Sequence, residues 1–254
     1  MIQKHEIPLL EFDTDEIAVI QPTHEHLPLQ LPRKAVYAFL GEHIDAFAAA
    51  HHAEQVAEFV SETKKFPIYV VPYQGESICL CQAPVGSAPA AQIMDWLIGY
   101  GVREIITGGC CGDLVGMAEN VFLIPKKALR DEGTSYHYLS PSRYVEIDHS
   151  ARCAIAKTLH AHGLPCQEVV TWTTDGFYRE TAEKVAYRKA EGCQVVEMEC
   201  AALAAVAAFR HVVWGALLFT ADTLANVERY DARSWGEDSF ATAVKLCMDV
   251  VLQL

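Results

Sequence analysis

Two carboxylates, Glu197 and Glu199, stand inside the apolar run "CQVVEMECAALAAVAAF" at 193–209. Buried charges without partners are too costly for a core, so either the protein satisfies them or a ligand does. As first-turn helix residues they would be favoured by the helix dipole. As ligand groups, each has two acceptor oxygens and can grip two neighbouring sugar hydroxyls at once. Met198 between them offers a soft apolar surface to a sugar ring. Asp222, in "LLFTADTL", reads either as a cap or turn residue or as a general acid whose pKa burial raises. The glycines of "GGCCGD" at 108–113 bring backbone N–H groups close to an anion, or simply turn the chain tightly. "WTTDGFYRET" at 172–181 crowds aromatics and hydroxyls together, and Phe177 fits either a base-stacking surface or a core position. "RDEGTSYHYLSPS" at 130–142 is a long polar stretch, the pattern of a functional or a merely solvated loop. Cys110 and Cys111 offer thiols, but no His is placed by sequence to activate either one.

These groups need elements to position them. The pattern predicts strands in "IAVIQP" (17–22) and "AVYAFL" (35–40), a helix over "IDAFAAAHHAEQVAEFV" (44–60), and a hairpin in "FPIYVVPYQGESICLCQAP" (66–84) with "YQGES" as its turn. "SAPAAQIMDWLIGYG" predicts a helix stopped by Gly101. "REIITGGCCGDL" predicts a short strand entering a glycine-rich turn, and "CQVVEMECAALAAVAAFR" a strand entering a helix. "VVWGALLFTADTL" predicts a buried strand, and "SFATAVKLCMDVVLQL" an amphipathic closing helix with Ser239 as N-cap. Strands alternating with helices imply an α/β fold: one domain over 1–254, with a central mixed, largely parallel sheet flanked by helices. Ligands of such folds gather at the carboxyl ends of strands, where "TGGCCGD", "EMEC" and "TADT" fall.

Composition narrows the function classes. The chain has 254 residues, enough for a sizeable core without staples. Formal net charge is −13, with no basic stripe, which disfavours a nucleic-acid partner. No run reaches the roughly 18–20 apolar residues of a membrane span, and "MIQKHEIPLLEFD" lacks the layout of a signal peptide. The nine cysteines, an odd number mostly inside apolar runs, fit free thiols in a reducing compartment. A cytoplasmic protein without a membrane partner is the expectation. No spaced Cys/His set predicts a metal.

"VVEMECAAL" resembles the signature of the trimeric-to-hexameric nucleoside phosphorylases, a family that includes purine nucleoside and uridine phosphorylases and related nucleosidases. The similarity extends through "APVGSAPAAQIMDWLIGYGVREIITGGCCGDL", "RDEGTSYHY", "TTDGFYRET" and "LLFTADT", in family order, from about Pro67 to the C-terminus. The resemblance implies that Glu199 holds the ribose 2′- and 3′-hydroxyls, with Met198 under the sugar and Glu197 close by. It implies that Phe177 stacks on the base and that Asp222 is the acid protonating it. Thr181 falls among the base-reading positions. His5 resembles the N-terminal histidine that reaches a neighbouring subunit's ribose site, which implies a homo-oligomer, a dimer building block extending to a hexamer. Gly86, Thr107, Gly109 and Cys110 fall around the anion end. The implied reaction is phosphorolysis of a purine-leaning nucleoside to free base and ribose 1-phosphate, with inorganic phosphate as co-substrate and no cofactor.

The sequence departs from the family pattern at the anion end. Thr107 stands where the phosphorylases carry an arginine, and Cys110 where they carry Ser or Thr. "IQPTHEHLP" replaces the Gly-Asp-Pro phosphate loop, with His26 near its arginine, and Lys64 falls where the partner subunit's arginine lies. A lysine lacks the bidentate fork of arginine. Either Lys64, His24, His26 or Arg130 builds another phosphate site, or water is the nucleophile and the protein is a nucleosidase. Thr181 and Glu183 replace the Gln and Arg that read uracil, which turns the reading from uridine toward purines. A non-catalytic nucleoside-binding protein is the third reading.

Overall fold

Short runs rich in Val, Ile, Leu and Ala, bounded by glycine, proline or polar residues, build the strands, and apolar residues at helical spacing build the layers around them. The computed structural model describes residues 2–254. In chain order the elements are β1 (Lys34–Ala38), α1 (Glu42–Ala50), β2 (Glu54–Val60), β3 (Lys65–Tyr73), β4 (Glu76–Gln82), α2 (Ser87–Gly99) and β5 (Glu104–Asp113). They continue as β6 (Phe122–Asp131), β7 (Tyr144–Glu146), α3 (His149–Ala161), β8 (Glu168–Thr174) and α4 (Ala182–Ala190). The last are β9 (Val195–Glu197), α5 (Cys200–Phe209), β10 (Val213–Thr223) and α6 (Phe240–Val251). Among the described residues no helix is long and apolar enough to cross a membrane.

The sheet is mixed, as the alternating pattern predicts. One side runs β2–β3–β4–β1–β5, with antiparallel β2–β3 and β3–β4 pairs and parallel β4–β1 and β1–β5 pairs. β5 then pairs in parallel with β10 along most of its length, and its far end pairs antiparallel with β9. β10, β6, β8 and β9 complete a circuit back to β5, so this half of the sheet closes on itself. The closure turns the carboxyl ends of β5, β9 and β10 toward one another.

Side chains alternate across the sheet. Ala35, Tyr37 and Ile105 face the core under α2 and α5, with Trp96 and Leu203. Val36, Ala38 and Ile106 face the core under α1, α3 and α6, with Ile155 and Met248. Each fully buried large aliphatic side chain here contributes about 1.5–3 kcal/mol of transfer free energy.

Four local expectations change. Residues 17–22 form no strand: Ile17, Val19 and Ile20 are exposed, because no sheet edge lies beside them to pair with. The helix predicted over 44–60 ends at Ala50, and Glu54–Val60 is an antiparallel strand. His52, at φ +51°, reverses the chain between them. The glycines at 108–112 lie inside β5 rather than in a turn. A Cβ on Gly108 would lie 2.7 Å from Cys247 Sγ, and one on Gly112 2.9 Å from Val196 Cγ1, so close packing against α6 and β9 demands glycine. Ser239 precedes α6 without capping it, and its hydroxyl donates to Asn120 Oδ1 at 2.8 Å.

Candidate active site

At the carboxyl ends of β5, β9 and β10 lies a cavity of about 320 Å³. Its wall brings together Glu197, Met198, Glu199, Asp222, Phe177 and Thr107, with Gly109 and Cys110 along the β5 edge. These are residues that four separate motifs singled out, and the closed half of the sheet is what joins them.

The two carboxylates of the Glu-Met-Glu run divide the work. Glu197 ends β9, and the protein satisfies it completely. Its Oε1 accepts from Thr171 Oγ1 at 3.0 Å and Thr173 Oγ1 at 2.6 Å, and its Oε2 from the N–H groups of Glu199 at 2.7 Å and Cys200 at 2.6 Å. It thereby caps the start of α5, whose early N–H groups have no partner within the helix. Thr173 Oγ1 takes the next one, from Ala201. Ribose binding, expected of Glu197, is therefore corrected to a supporting role: no acceptor on it is left for a sugar.

Glu199 is the opposite case. It is 8% exposed and accepts one protein side-chain or loop hydrogen bond, from the Gly86 N–H at 2.5 Å. Burial, reinforced by the neighbouring Glu197 charge, pushes its pKa up to about 8, and the N–H groups of Gly86 and Met198 pull against this. Gly86 was expected at the anion end. Its N–H is instead committed to Glu199, at a backbone φ of +104° that favours glycine. Ser87 Oγ donates to the Met198 carbonyl at 2.6 Å and ties the start of α2 to the same loop.

This division gives a first prediction. Glu197→Gln places an NH₂ among four donors and should cost about 1–3 kcal/mol of stability. A calorimetric Tm lower by about 2–10 °C is the expected reading. Glu199→Gln removes a carboxyl whose ionisation burial disfavours, so its Tm should be unchanged or higher. A Tm loss equal to that of Glu197→Gln would show Glu199 to be structural.

Asp222 lies one residue before the end of β10 and is 5% exposed. Burial raises its pKa, and Asp113 adds to this, while Tyr230 and Arg233 oppose it. Arg233 donates to the carbonyls of Ala221 at 3.1 Å and Met117 at 2.6 Å, which holds the 224–239 loop against this strand. Phe177 opens a 3₁₀ turn after β8, 41% exposed at the cavity mouth. Its ring meets Tyr178 edge-on at 5.0 Å and Trp235 at 6.5 Å. A flat group entering there finds an aromatic face on the way in.

The anion end differs most from expectation. Thr107 is buried, and its hydroxyl accepts from the Trp214 indole N–H at 2.9 Å, which leaves it one proton to donate. The Cys110 thiol opens on the cavity, and its pKa is pushed up to about 11 by burial and by Asp222 and Glu199. Among the described residues no Lys, Arg or His lines the cavity. Lys64 is exposed on the β2–β3 connection, over the Phe66 ring. His26 is exposed at φ +51°. His24 borders a second, wider recess of about 660 Å³. Arg130 is buried and committed to Ser135, Ser142 and the carbonyls of Leu139 and Ser140. His5 is exposed, its N–H donating to Glu11 and its ring paired with Ile7. Thr181, expected at the base, lies outside the cavity and caps α4 by accepting from the Lys184 N–H.

Glu180, which precedes that cap, is a charged wall residue that the sequence reading did not single out. A carboxylate in "FYRET" carries no periodic signal, and only the fold sets it beside Asp222. No cluster of three His, Cys, Asp or Glu side chains able to hold a metal occurs among the described residues.

The profile of the Phosphorylase superfamily matches residues 33–252. A guanosine phosphorylase from Halorubrum lacusprofundi is 23% identical over 205 residues, covering 78% of this chain and 85% of its own. Among solved structures, uridine phosphorylase from Vibrio fischeri superposes with a TM-score of 0.75 at 17% identity, covering 89% of this chain and 93% of the other. AMP nucleosidase from Bacteroides thetaiotaomicron superposes at 0.71 with 23% identity, covering 87% and 88%. Purine nucleoside phosphorylase from Toxoplasma gondii superposes at 0.73 with 16% identity, covering 88% and 92%. These likenesses establish a shared fold that carries both phosphorolytic and hydrolytic members. With the profile spanning nearly the whole chain, and the Glu-Met-Glu turn opposite Asp222 in one cavity, the protein belongs to the phosphorylase superfamily of nucleoside-cleaving enzymes.

Proposed function

We propose that the protein cleaves the N-glycosidic bond of a purine nucleoside, with inorganic phosphate as the acceptor. The observation that carries this reading is Glu199, a buried carboxyl that accepts a single hydrogen bond, from Gly86, in the wall of a cavity that Met198 also lines. A ribose laid over Met198 completes Glu199 through its 2′- and 3′-hydroxyls. As the bond to the base breaks, positive charge builds on the sugar, as in other glycosyl transfers. The hydroxyls become better donors, so the contact with Glu199 strengthens in the transition state. Asp222, whose pKa burial raises, gives a proton to the departing base, and phosphate forms the new bond to the anomeric carbon. The products are free base and ribose 1-phosphate. The guanosine phosphorylase relative and the superfamily match support this choice of acceptor.

In this reading the cation for phosphate comes from a second copy of the chain, through the exposed Lys64, with His5 beside the ribose. A second reading, hydrolysis, is favoured by one observation: four carboxyl groups and, among the described residues, no cation line the cavity. A phosphate dianion there meets repulsion that a water molecule does not. Base release from purine nucleosides with and without phosphate separates the two. Turnover that requires phosphate and yields ribose 1-phosphate supports phosphorolysis. Release of free ribose at the same rate without phosphate replaces it with hydrolysis, and nucleoside binding without turnover would leave only a binding protein.

A further inference from the structure

The base end of the cavity holds a group that the cleavage chemistry does not use. Glu180 lines the cavity together with Asp222 and also borders the small recess beside Tyr230. Its carboxyl makes no hydrogen bond and no ion pair among the described residues. Lys184, one helical turn on, is the obvious partner, but its ammonium pairs with Asp131 Oδ2 at 2.8 Å. Phe177, Trp235, Val196, Leu218 and Gly112 line the same cavity. Asp222 and Glu180 are therefore the two carboxyl groups available to read a base edge.

We propose that Glu180 reads the outer edge of the base, and that the site takes the nucleoside of a 6-oxopurine, whose ring N–H Glu180 accepts, in preference to adenosine. The proposal rests on the cleavage reading above and deepens it. An ionised carboxylate accepts hydrogen bonds and cannot donate them. A 6-oxopurine presents a donor at N1, joined by a 2-amino donor in guanine, beside the O6 and N7 acceptors that a protonated Asp222 can serve. Adenine presents a lone pair at N1, which a carboxylate repels. A site whose buried polar group goes unpaired with the wrong substrate discriminates more sharply than one that measures size.

The charged and titratable groups around Glu180 are Asp222 from β10, Lys184 from α4 and Tyr230 from the following loop. Burial first, then Asp222, raises the Glu180 pKa to about 7, and Lys184 opposes this. The neutral acid can donate to adenine N1 and accept from its amino group, so preference for the 6-oxopurine should fall as pH falls through about 7.

The test measures kcat/KM for inosine, guanosine and adenosine in the wild type and in Glu180→Gln, at about pH 6 and about pH 8. The wild type should favour inosine and guanosine about tenfold or more at the higher pH, and less at the lower. Glu180→Gln should lose about tenfold or more on both 6-oxopurine substrates, change adenosine by less than about threefold, and flatten the pH dependence of the ratio. A wild type that cleaves adenosine as well as inosine, or a variant that loses all three equally, overturns the proposal and leaves the cleavage reading standing. If the wild type cleaves no nucleoside, the cleavage reading fails, and binding of free bases decides. A Tm raised by hypoxanthine and not by adenine, in the wild type and not in Glu180→Gln, would sustain the role of Glu180. Equal shifts, or none, would end it.

Discussion

Replacing Glu199 by alanine should lower kcat/KM for purine nucleosides by about 10²–10³-fold, the range for removing one preorganised electrostatic contact to a transition state. The loss should appear in kcat as well as in KM, because the contact tightens as the sugar becomes cationic. The fold should survive, since Glu199 has one protein partner for its carboxyl where Glu197 has four. The pH profile gives an independent reading. The ionised form of Glu199 is the one that accepts both ribose hydroxyls, and its pKa is pushed up to about 8. The carboxylate population therefore grows as pH rises through that value, so wild-type kcat/KM should climb with pH, and this limb should be missing from Glu199→Gln. Kinetics of Glu199→Ala within a few-fold of wild type would take the residue out of the site.

The second large effect concerns the leaving group. Asp222→Asn should lower kcat for purine nucleosides by about 10²–10⁴-fold, the usual contribution of a positioned general acid. A riboside with a nitrophenolate leaving group departs without a proton, so on that substrate the variant should stay within about tenfold of wild type. Equal losses on both substrates would mean that Asp222 only shapes the cavity. The sign of the pKa shift fits the acid role: burial raises it, which keeps the proton on Asp222 to higher pH. Asp222 in turn helps to raise the pKa of Glu180 nearby.

The contrast between Glu197 and Glu199 shows where reading from sequence stops. Both lie in one apolar run, two residues apart, and their types predict the same chemistry. What separates them is contributed from far along the chain. Thr171 and Thr173, on β8, fill one oxygen of Glu197 from 26 and 24 residues away. Gly86, at the start of α2, reaches Glu199 from 113 residues away. The glycines of β5 teach the same lesson. Their composition suggests a turn, and the strand keeps them because α6 and β9 press too closely for a Cβ.

Sequence by itself determined the α/β class, and it singled out the Glu-Met-Glu turn, Asp222 and Phe177 as candidate groups and Thr107 and Cys110 as departures from the family pattern. Those features are local: residue type, spacing and periodicity express them directly. Only the tertiary structure decided which carboxylate keeps free acceptors, that Glu180 joins Asp222 in the cavity wall, that Thr181 is a helix cap, and that Lys64, His26 and Arg130 lie away from the cavity of their own chain. The physical reason is that burial and hydrogen-bond satisfaction are properties of contacts between distant segments, and here the closure of β5, β10, β6, β8 and β9 makes those contacts.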